Sequence, residues 1–162
     1  MLAVKYVHTN IIAKDWKKVS LFYQRVFGCK PVAKRDLSGV WLDRLTGIDH
    51  VHITGEHLLL PGYGENLPTL EIFSYNQADD KTSKLINRVG LAHLAFEVDD
   101  VDAVLQTVKQ EGGEQLGEVV SVEYPDDVMA TFVYAKDIED NIIELQSWRI
   151  NDGPFTILLD SE

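Results

Sequence analysis

Four residues of this chain have types and spacings that suit a metal site: His8, Glu71, His93 and Glu144. Each half of the chain contributes one histidine and, further along, one glutamate between apolar neighbours. Two neutral imidazoles and two carboxylates carry two negative charges together, which suits a divalent cation. These donors admit Zn²⁺, Ni²⁺, Co²⁺, Mn²⁺ or Fe²⁺, and residue type alone does not choose among them. Four protein ligands leave room for water or substrate oxygens, as in a catalytic site.

The spacing of these residues shows an internal repeat. His8 precedes Asp15 by seven residues, His93 precedes Asp100 by seven, and in both copies a glycine follows the histidine by twenty. Each copy predicts a strand, a helix capped by the aspartate and a stop at the glycine. We therefore predict an α+β protein with two tandem βαβββ modules that form a curved mixed sheet around a metal-binding cavity.

Hydrophobic periodicity predicts the elements that must position the candidate ligands. The first module is predicted to have a helix over Trp16–Phe27 and strands over Val4–Ala13, Val32–Lys34, Gly39–Leu42, His50–Thr54, Glu56–Leu60 and Thr69–Tyr75. The second is predicted to have a helix over Val101–Glu111 and strands over Leu91–Asp100, Val119–Glu123, Met129–Tyr134 and Ile142–Trp148. In the C-terminal tail, Phe155–Leu159 is predicted to add an edge strand or to pack on a partner.

Strand alternation turns the candidate ligands away from the helices. The residues predicted to pack against the helices are Val7, Ile11, Leu70, Ile72, Ile143 and Leu145. The residues predicted to line a substrate pocket are Tyr6, Asn10, Phe73, Tyr75, Gln146 and Trp148. Plain packing is an equally good interpretation of the aromatic residues among them.

Other polar residues near the predicted site are weaker ligand candidates. His50 and His52 share a strand face, and His57 is close in sequence, but none of the three has a counterpart in the second half. A place in the pocket lining suits them better than metal binding. Glu97 is assigned to the pocket rim because its counterpart by the same offset is Ile12.

Length and charge limit the domain organisation and the partners. We predict one domain over residues 1–162, with modules at 4–76 and 91–148, a connector at 77–90 and a tail at 149–162. The chain has 15 Lys and Arg against 26 Asp and Glu, a net charge of −11. This balance argues against nucleic acid and anionic membranes as partners, because both bind cationic surfaces.

Cysteine content and hydropathy predict a cytoplasmic protein. The single cysteine, Cys29, cannot form a disulfide within the chain, which fits a reducing compartment. No apolar run approaches the ~20 residues of a membrane span. The N-terminus also lacks the basic and then apolar arrangement of a signal peptide.

Three parts of the chain resemble motifs of the vicinal oxygen chelate superfamily: His8–Asp15 with Phe22–Gly28, Gly90–Asp100, and Asp140–Leu145. That superfamily includes glyoxalase I, methylmalonyl-CoA epimerase, extradiol dioxygenases, fosfomycin-resistance enzymes and bleomycin-binding proteins. The resemblance implies metal ligands at the same four positions that the repeat selects. A carboxylate at Glu71 resembles glyoxalase I, whereas the epimerase has glutamine there.

The resemblance implies a divalent-metal-dependent lyase or isomerase of glyoxalase type, similar to lactoylglutathione lyase. In this hypothesis the metal binds two substrate oxygens and stabilises an enediolate formed by proton abstraction next to a carbonyl. Glu144 is expected to be the base, with Glu71 as its partner or as a second base. The closest alternative is a methylmalonyl-CoA-type epimerase.

Two further alternatives have weaker support. A protein that binds a small molecule or confers antibiotic resistance without turnover would keep the fold without requiring all four ligands. An extradiol dioxygenase would use only a His, His, Glu triad, so the availability of Glu71 argues against it. All of these hypotheses expect a small molecule as the partner. A homodimer is expected, and both a site within one chain and a site across two chains stay open.

Overall fold

The computed structural model describes residues 4–64, 68–79 and 83–150. The chain divides into two compact units, residues 1–82 and 83–162. Each unit contains one βαβββ module with its own four-stranded mixed sheet. The predicted fold class of α+β with two tandem βαβββ modules is therefore confirmed.

The first unit has the order β1 (His8–Ile12), α1 (Trp16–Phe27), β2 (Lys30–Ser38), α2 (Val40–Thr46), β3 (His52–Leu59) and β4 (Thr69–Tyr75). Its sheet has the strand order β1-β4-β3-β2. β1 and β4 are parallel, and the other pairs are antiparallel. This topology places β4, which carries Glu71, between β1 and β3.

The second unit repeats this pattern with β5 (His93–Glu97), α3 (Val101–Gln110), β6 (Glu114–Tyr124), β7 (Val128–Lys136) and β8 (Ile142–Ile150). The strand order is β5-β8-β7-β6, again with one parallel pair, β5 and β8. β8, which carries Glu144, occupies the place that β4 has in the first unit. The repeat found in the sequence therefore corresponds to a repeat of the strand topology.

Helix ends follow the local chemistry predicted from the sequence. The Asp15 carboxylate accepts a hydrogen bond from the backbone N–H of Lys18 at 3.2 Å, and Asp100 accepts one from Ala103 at 2.9 Å. These bonds satisfy N–H groups that have no partner within the first turn. Gly28 ends α1 in the left-handed conformation, with φ of 69°, which glycine adopts without a Cβ clash. The predicted bounds of α1 and β4 are confirmed, and α3 ends at Gln110, one residue early.

The sheet faces predicted to meet the helices are buried, with one exception. α1 packs against β3 and β4, and α3 packs against β6, β7 and β8. Five of the six predicted contact residues are at most 8% exposed: Ile11, Leu70, Ile72, Ile143 and Leu145. The prediction for Val7 is wrong, because Val7 precedes β1 and is 62% exposed.

Two strand predictions in the first half are wrong. Gly39–Leu42 was predicted as a strand, but these residues begin α2, whose buried Leu42 packs with Val51 and Ile53. The segments predicted as separate strands around Gly55 form the single strand β3. Gly55 pairs with Phe73 of β4, and its missing Cβ lets the two strands approach, so the glycine does not interrupt the strand.

The remaining differences concern element ends. β1 and β5 are shorter than predicted, whereas β2, β6 and β7 are longer and β8 continues to Ile150. Phe155–Leu159 lies outside the described residues. In the described ranges no helix is long and apolar enough to cross a membrane. The single-domain boundaries and the tail stay predictions.

Candidate metal centre

Glu71 lies at the centre of a polar cluster in the first unit. The Nε2 atom of His8 and the Nδ2 atom of Asn10, both from β1, lie 3.2 Å from its Oε2 atom. From the other side, the Nε2 atom of His57 on β3 lies 2.9 Å from Oε1. Strand register explains these contacts, because Glu71 pairs with Asn10 on β1 and with His57 on β3. Side chains from both neighbouring strands therefore contact both oxygens of a buried carboxylate.

His57 is itself held in this cluster. Its Nδ1 atom lies 3.3 Å from the hydroxyl oxygen of Thr69, at the start of β4. Partial burial lowers the pKa of the His57 imidazole, and electrostatic interactions with Arg35 and His8 lower it further, while the Glu71 carboxylate opposes the change. Since an ordinary histidine pKa is already near 6.5, this lowered pKa favours the neutral imidazole at pH 7.

The second unit contains a matching but different cluster around Glu144. The Nε2 atom of His93 lies 3.1 Å from Oε2 of Glu144. The rings of His93 and Tyr134 meet edge to face, with centroids 5.2 Å apart. Burial raises the pKa of the Tyr134 hydroxyl, and so do the charge and the hydrogen bond of Glu144. Tyr134 pairs with Glu144 in the register of β7 and β8, as His57 pairs with Glu71.

One atom of this second cluster has an unsatisfied hydrogen-bonding capacity. The Nδ1 atom of His93 is buried and has no hydrogen-bond partner among the described residues. Buried polar atoms are nearly always paired, so a strand needing only burial would be more stable with an apolar side chain here. This favours a functional reason for histidine at position 93.

Each His–Glu pair has donor atoms spaced like neighbouring ligands of a metal ion. Two donors about 2.1 Å from an ion and at right angles to each other are separated by about 3 Å, close to the 3.2 and 3.1 Å observed. Both pairs thus fit a divalent cation chemically. In residues 4–64, 68–79 and 83–150, no group of three or more His, Cys, Asp or Glu is arranged to hold a metal ion. The joint site of four ligands stays a prediction.

The predicted pocket residues of the first unit have three different environments. Asn10 contacts Glu71 directly. The Tyr6 hydroxyl contacts that of Thr9, and its side chain is exposed. Phe73 belongs to the apolar core between β3, β4 and α2, and Tyr75 packs against that core. Packing thus accounts for both of these aromatic side chains, and a role in pocket lining stays a prediction.

In the second unit Gln146 and Trp148 share one sheet face with Glu144. The indole N–H of Trp148 donates to Oε1 of Gln146 at 3.1 Å. The Trp148 ring contacts those of Tyr124 and Phe132, with centroids 5.2 and 5.4 Å away. A cluster of aromatic side chains therefore lies further along the sheet face that carries Glu144. These two extra aromatics were not singled out from the sequence.

The other histidines of the first half lie away from Glu71. Nε2 of His52 lies 2.6 Å from a carboxylate oxygen of Asp36 at the exposed end of β3. His50 has a left-handed backbone, with φ of 56°. Both line a surface cavity of about 470 Å³ beside the start of α2. Neither belongs to a metal-binding cluster among the described residues.

Sequence reasoning missed the direct contacts of His57 and Tyr134 with the two glutamates. The spacing hides their equivalence, because His57 precedes its glutamate by 14 residues and Tyr134 by 10. The signal that could find them is antiparallel register, which places each of them directly opposite its glutamate. Register depends on the connecting loop, whose length differs between the modules.

Comparisons with known proteins agree with this architecture. A lactoylglutathione lyase of Neisseria meningitidis serogroup A is 26% identical over 149 residues, covering 86% of this chain and 96% of that protein. A glyoxalase family protein from Bacillus cereus has a TM-score of 0.69 at 20% identity, covering 91% of this chain and 95% of that one. A fosfomycin resistance protein from Listeria monocytogenes, solved with Mn(II) and sulfate, has a TM-score of 0.54 at 17% identity, covering 91% and 93%.

Residues 5–145 match the family model described as the Glyoxalase/Bleomycin resistance protein/Dioxygenase superfamily. The matched range contains all four predicted ligands, the whole first module and the second module as far as Leu145 in β8. The paired modules and their repeated histidines and glutamates agree with that match. The chain therefore belongs to the glyoxalase/bleomycin resistance protein/dioxygenase superfamily.

Proposed function

We propose that this protein is a divalent-metal-dependent lyase or isomerase of the glyoxalase type that acts on a small carbonyl substrate. The observation that carries the proposal is the repeated pair of donor atoms, His8 with Glu71 at 3.2 Å and His93 with Glu144 at 3.1 Å. Distant similarity to lactoylglutathione lyase supports the same reaction type.

In this proposal His8, Glu71, His93 and Glu144 together hold one divalent ion. Two neutral imidazoles and two carboxylates match the donor preferences of Zn²⁺, Ni²⁺, Co²⁺, Mn²⁺ and Fe²⁺. The bound ion would supply Lewis acidity that polarises a substrate carbonyl and acidifies the adjacent C–H bond. The Listeria fosfomycin resistance protein was solved with Mn(II), which supports a divalent metal in a protein of this fold without choosing the ion.

In this proposal the two carboxylates transfer the substrate proton. Glu144 removes the proton next to the carbonyl, and the electron pair of the broken C–H bond moves toward the carbonyl oxygen. The proton then returns to the neighbouring carbon, which completes an isomerisation without an external oxidant or reductant. Glu71 is the partner carboxylate or second base. Asn10, Gln146 and Trp148 are proposed to contact the substrate.

The substrate is proposed to be a hemithioacetal of a 2-oxoaldehyde, with an acyl-CoA as the alternative for an epimerase. Both carry a hydrogen next to a carbonyl, so the same base serves either reaction. Nuclear magnetic resonance in D₂O tests this chemistry through deuterium incorporation, at the former carbonyl carbon of the lyase product and at the methyl-bearing carbon of a 2-methylacyl-CoA. Conversion of the glutathione hemithioacetal of methylglyoxal would support the lyase, and exchange confined to 2-methylacyl-CoA would replace it with the epimerase.

Metal analysis tests the site itself. Purified protein is expected to contain one divalent metal per proposed site by inductively coupled plasma mass spectrometry. His8→Ala and Glu144→Gln are expected to lose most of it, because each removes a ligand. His52→Ala is the matched control, since His52 pairs with the exposed Asp36 and should leave the metal content unchanged. Metal retained in the two ligand variants would contradict the proposed site.

A protein that binds a small molecule without turnover is the second candidate. The fosfomycin resistance neighbour suggests an antibiotic as the small molecule to test, although similarity at 17% identity extends only to the fold. Calorimetry with fosfomycin separates the two candidates when run beside the exchange assay. Tight binding without exchange or conversion of any substrate would replace the enzyme proposal.

We also propose that the protein forms a homodimer. Light scattering after size exclusion is expected to give twice the chain mass of 18.3 kDa. A mass equal to that of one chain, at every concentration tested, would contradict the dimer.

A further inference from the structure

We propose that His57 is a positioning residue that holds Glu71 as a fixed metal ligand, whereas Glu144 is less restrained because Ala95 stands where Asn10 contacts Glu71. This inference rests on the proposed function and assigns different roles to two carboxylates that the sequence repeat makes equivalent. Neither His57 nor Tyr134 is one of the four proposed ligands.

Three side chains from two strands restrain Glu71. His57 contacts Oε1 at 2.9 Å, and His8 and Asn10 contact Oε2, each at 3.2 Å. The contacts come from opposite sides of β4, so rotation of the carboxylate in either direction breaks at least one of them. A restrained carboxylate is suited to remain a ligand throughout a reaction.

The His57 side chain is restrained in turn. Its Nδ1 atom is near the Thr69 hydroxyl at 3.3 Å, and its ring packs edge to face on Phe73 with centroids 5.8 Å apart. If the Thr69 hydroxyl donates to Nδ1, Nε2 carries the ring proton and donates it to Glu71. The imidazole side chain is only 16% exposed, so water competes weakly for this hydrogen bond. Thr69 and Phe73 thus set the orientation through which His57 acts.

The second module lacks one of these restraints at the equivalent positions. Tyr134 occupies the cross-strand position of His57, and Ala95 occupies that of Asn10. The alanine side chain has no hydrogen-bond donor, while the phenol donates a single hydrogen bond, as the neutral imidazole does. The side chain of Glu144 is 16% exposed, against 10% for Glu71. A less restrained carboxylate is suited to leave the metal and accept a proton.

Zn²⁺ titration by calorimetry of the metal-free protein tests this division of roles without requiring turnover. His57→Phe is expected to weaken Zn²⁺ binding ~10–100-fold, the range typical for residues that orient a metal ligand. Tyr134→Phe is expected to keep the affinity of the unaltered protein. His52→Phe is the matched control on the same strand, because its partner is the exposed Asp36.

Kinetics with the hemithioacetal supply the second readout. Tyr134→Phe is expected to lower kcat with little change in KM, because it alters the base and not substrate capture. Exchanging the two residues, with His57→Tyr and Tyr134→His together, is expected to weaken Zn²⁺ binding and lower kcat. His57→Gln, which keeps a side-chain N–H donor, is expected to recover part of the Zn²⁺ affinity lost in His57→Phe.

The outcomes separate failure of this inference from failure of the proposed function. If the unaltered protein binds no divalent metal, the proposed function fails and the inference falls with it. If it binds Zn²⁺ and His57→Phe binds equally well, or if Tyr134→Phe loses as much affinity, only the inference fails. Should His57→Phe not fold, His57→Gln and Thr69→Val decide the question, since wild-type affinity in both would overturn it.

Discussion

The imidazole of His57 lies opposite the carboxylate of Glu71 across two antiparallel strands, with Nε2 and Oε1 2.9 Å apart. In the second module the same register position brings Tyr134 to Glu144. The two copies of the duplicated module therefore give their glutamates different cross-strand partners. This difference distinguishes the modules at the level of chemistry, although their strand orders agree.

Removing the Thr69 hydroxyl should loosen His57 without removing its imidazole. Thr69→Val keeps the side-chain shape and deletes the atom 3.3 Å from Nδ1. A hydrogen bond of this kind contributes about 0.5–1.5 kcal/mol, so we expect roughly a 2- to 12-fold loss of Zn²⁺ affinity by calorimetry. Thr107→Val, which alters a hydroxyl on α3, is the control. Equal affinity in Thr69→Val and the control would contradict a role for Thr69.

A side chain at position 55 should force β3 and β4 apart. A Cβ atom on Gly55 would lie 2.1 Å from the carbonyl oxygen of Ile72 and 2.4 Å from the ring of Phe73. Gly55→Ala is expected to lower the free energy of unfolding by about 1–3 kcal/mol or more in urea, as for an overpacked core. Gly64→Ala, with open space at its Cβ position, is expected to change it little. Comparable stability of the two variants would rule out this close approach.

A buried carboxylate joins β3 to α1. Glu56 is 5% exposed, and its Oε1 atom accepts hydrogen bonds from the Ser20 hydroxyl and, at 3.3 Å, from the Gln24 amide. Glu56→Ala is expected to lower the free energy of unfolding by about 1–3 kcal/mol, because polar groups of α1 lose their acceptor. Glu56→Gln keeps an acceptor oxygen and should be less damaging in the same urea experiment. A larger loss in Glu56→Gln than in Glu56→Ala would contradict this explanation.

Asp137 should make stability depend on pH in the direction opposite to that of most aspartates. Its carboxylate accepts hydrogen bonds from the backbone N–H groups of Glu139 and Asn141, both at 2.9 Å, within the turn before β8. Burial raises the Asp137 pKa above its ordinary value of 3.8, although these hydrogen bonds oppose the shift. The folded state therefore binds the proton more tightly than the unfolded state does.

The stabilisation that the raised Asp137 pKa gives to the folded state is fully present below pH 3.8. It is lost as the pH rises through the pKa of Asp137 in the folded protein. We expect the free energy of unfolding of the unaltered protein, relative to that of Asp137→Asn, to decrease over this window. Urea unfolding of both proteins at a series of pH values measures the difference. A difference that grows with rising pH would show that the native pKa is lowered.

Local sequence determined much of the fold. The capping aspartate, the apolar spacing and the terminal glycine were sufficient for both ends of α1. Alternation and β-branched residues were sufficient for both ends of β4. The repeated interval between histidine and aspartate revealed the two modules and selected His8, Glu71, His93 and Glu144. Such features can be predicted from the sequence because each depends on residues within one turn of the chain or on a regular spacing of residue types.

Tertiary structure decided the parts that depend on strand pairing. β3 is continuous because Gly55 meets Phe73, which no local pattern shows. α2 forms where a strand was expected because burying Leu42 against the sheet outweighs the weak local preference. His57 and Tyr134 contact the two glutamates only through antiparallel register, which loops of different length establish separately in each module. The sequence alone determined which residues repeat. The tertiary structure determined that the residues in contact with the two glutamates differ between the modules.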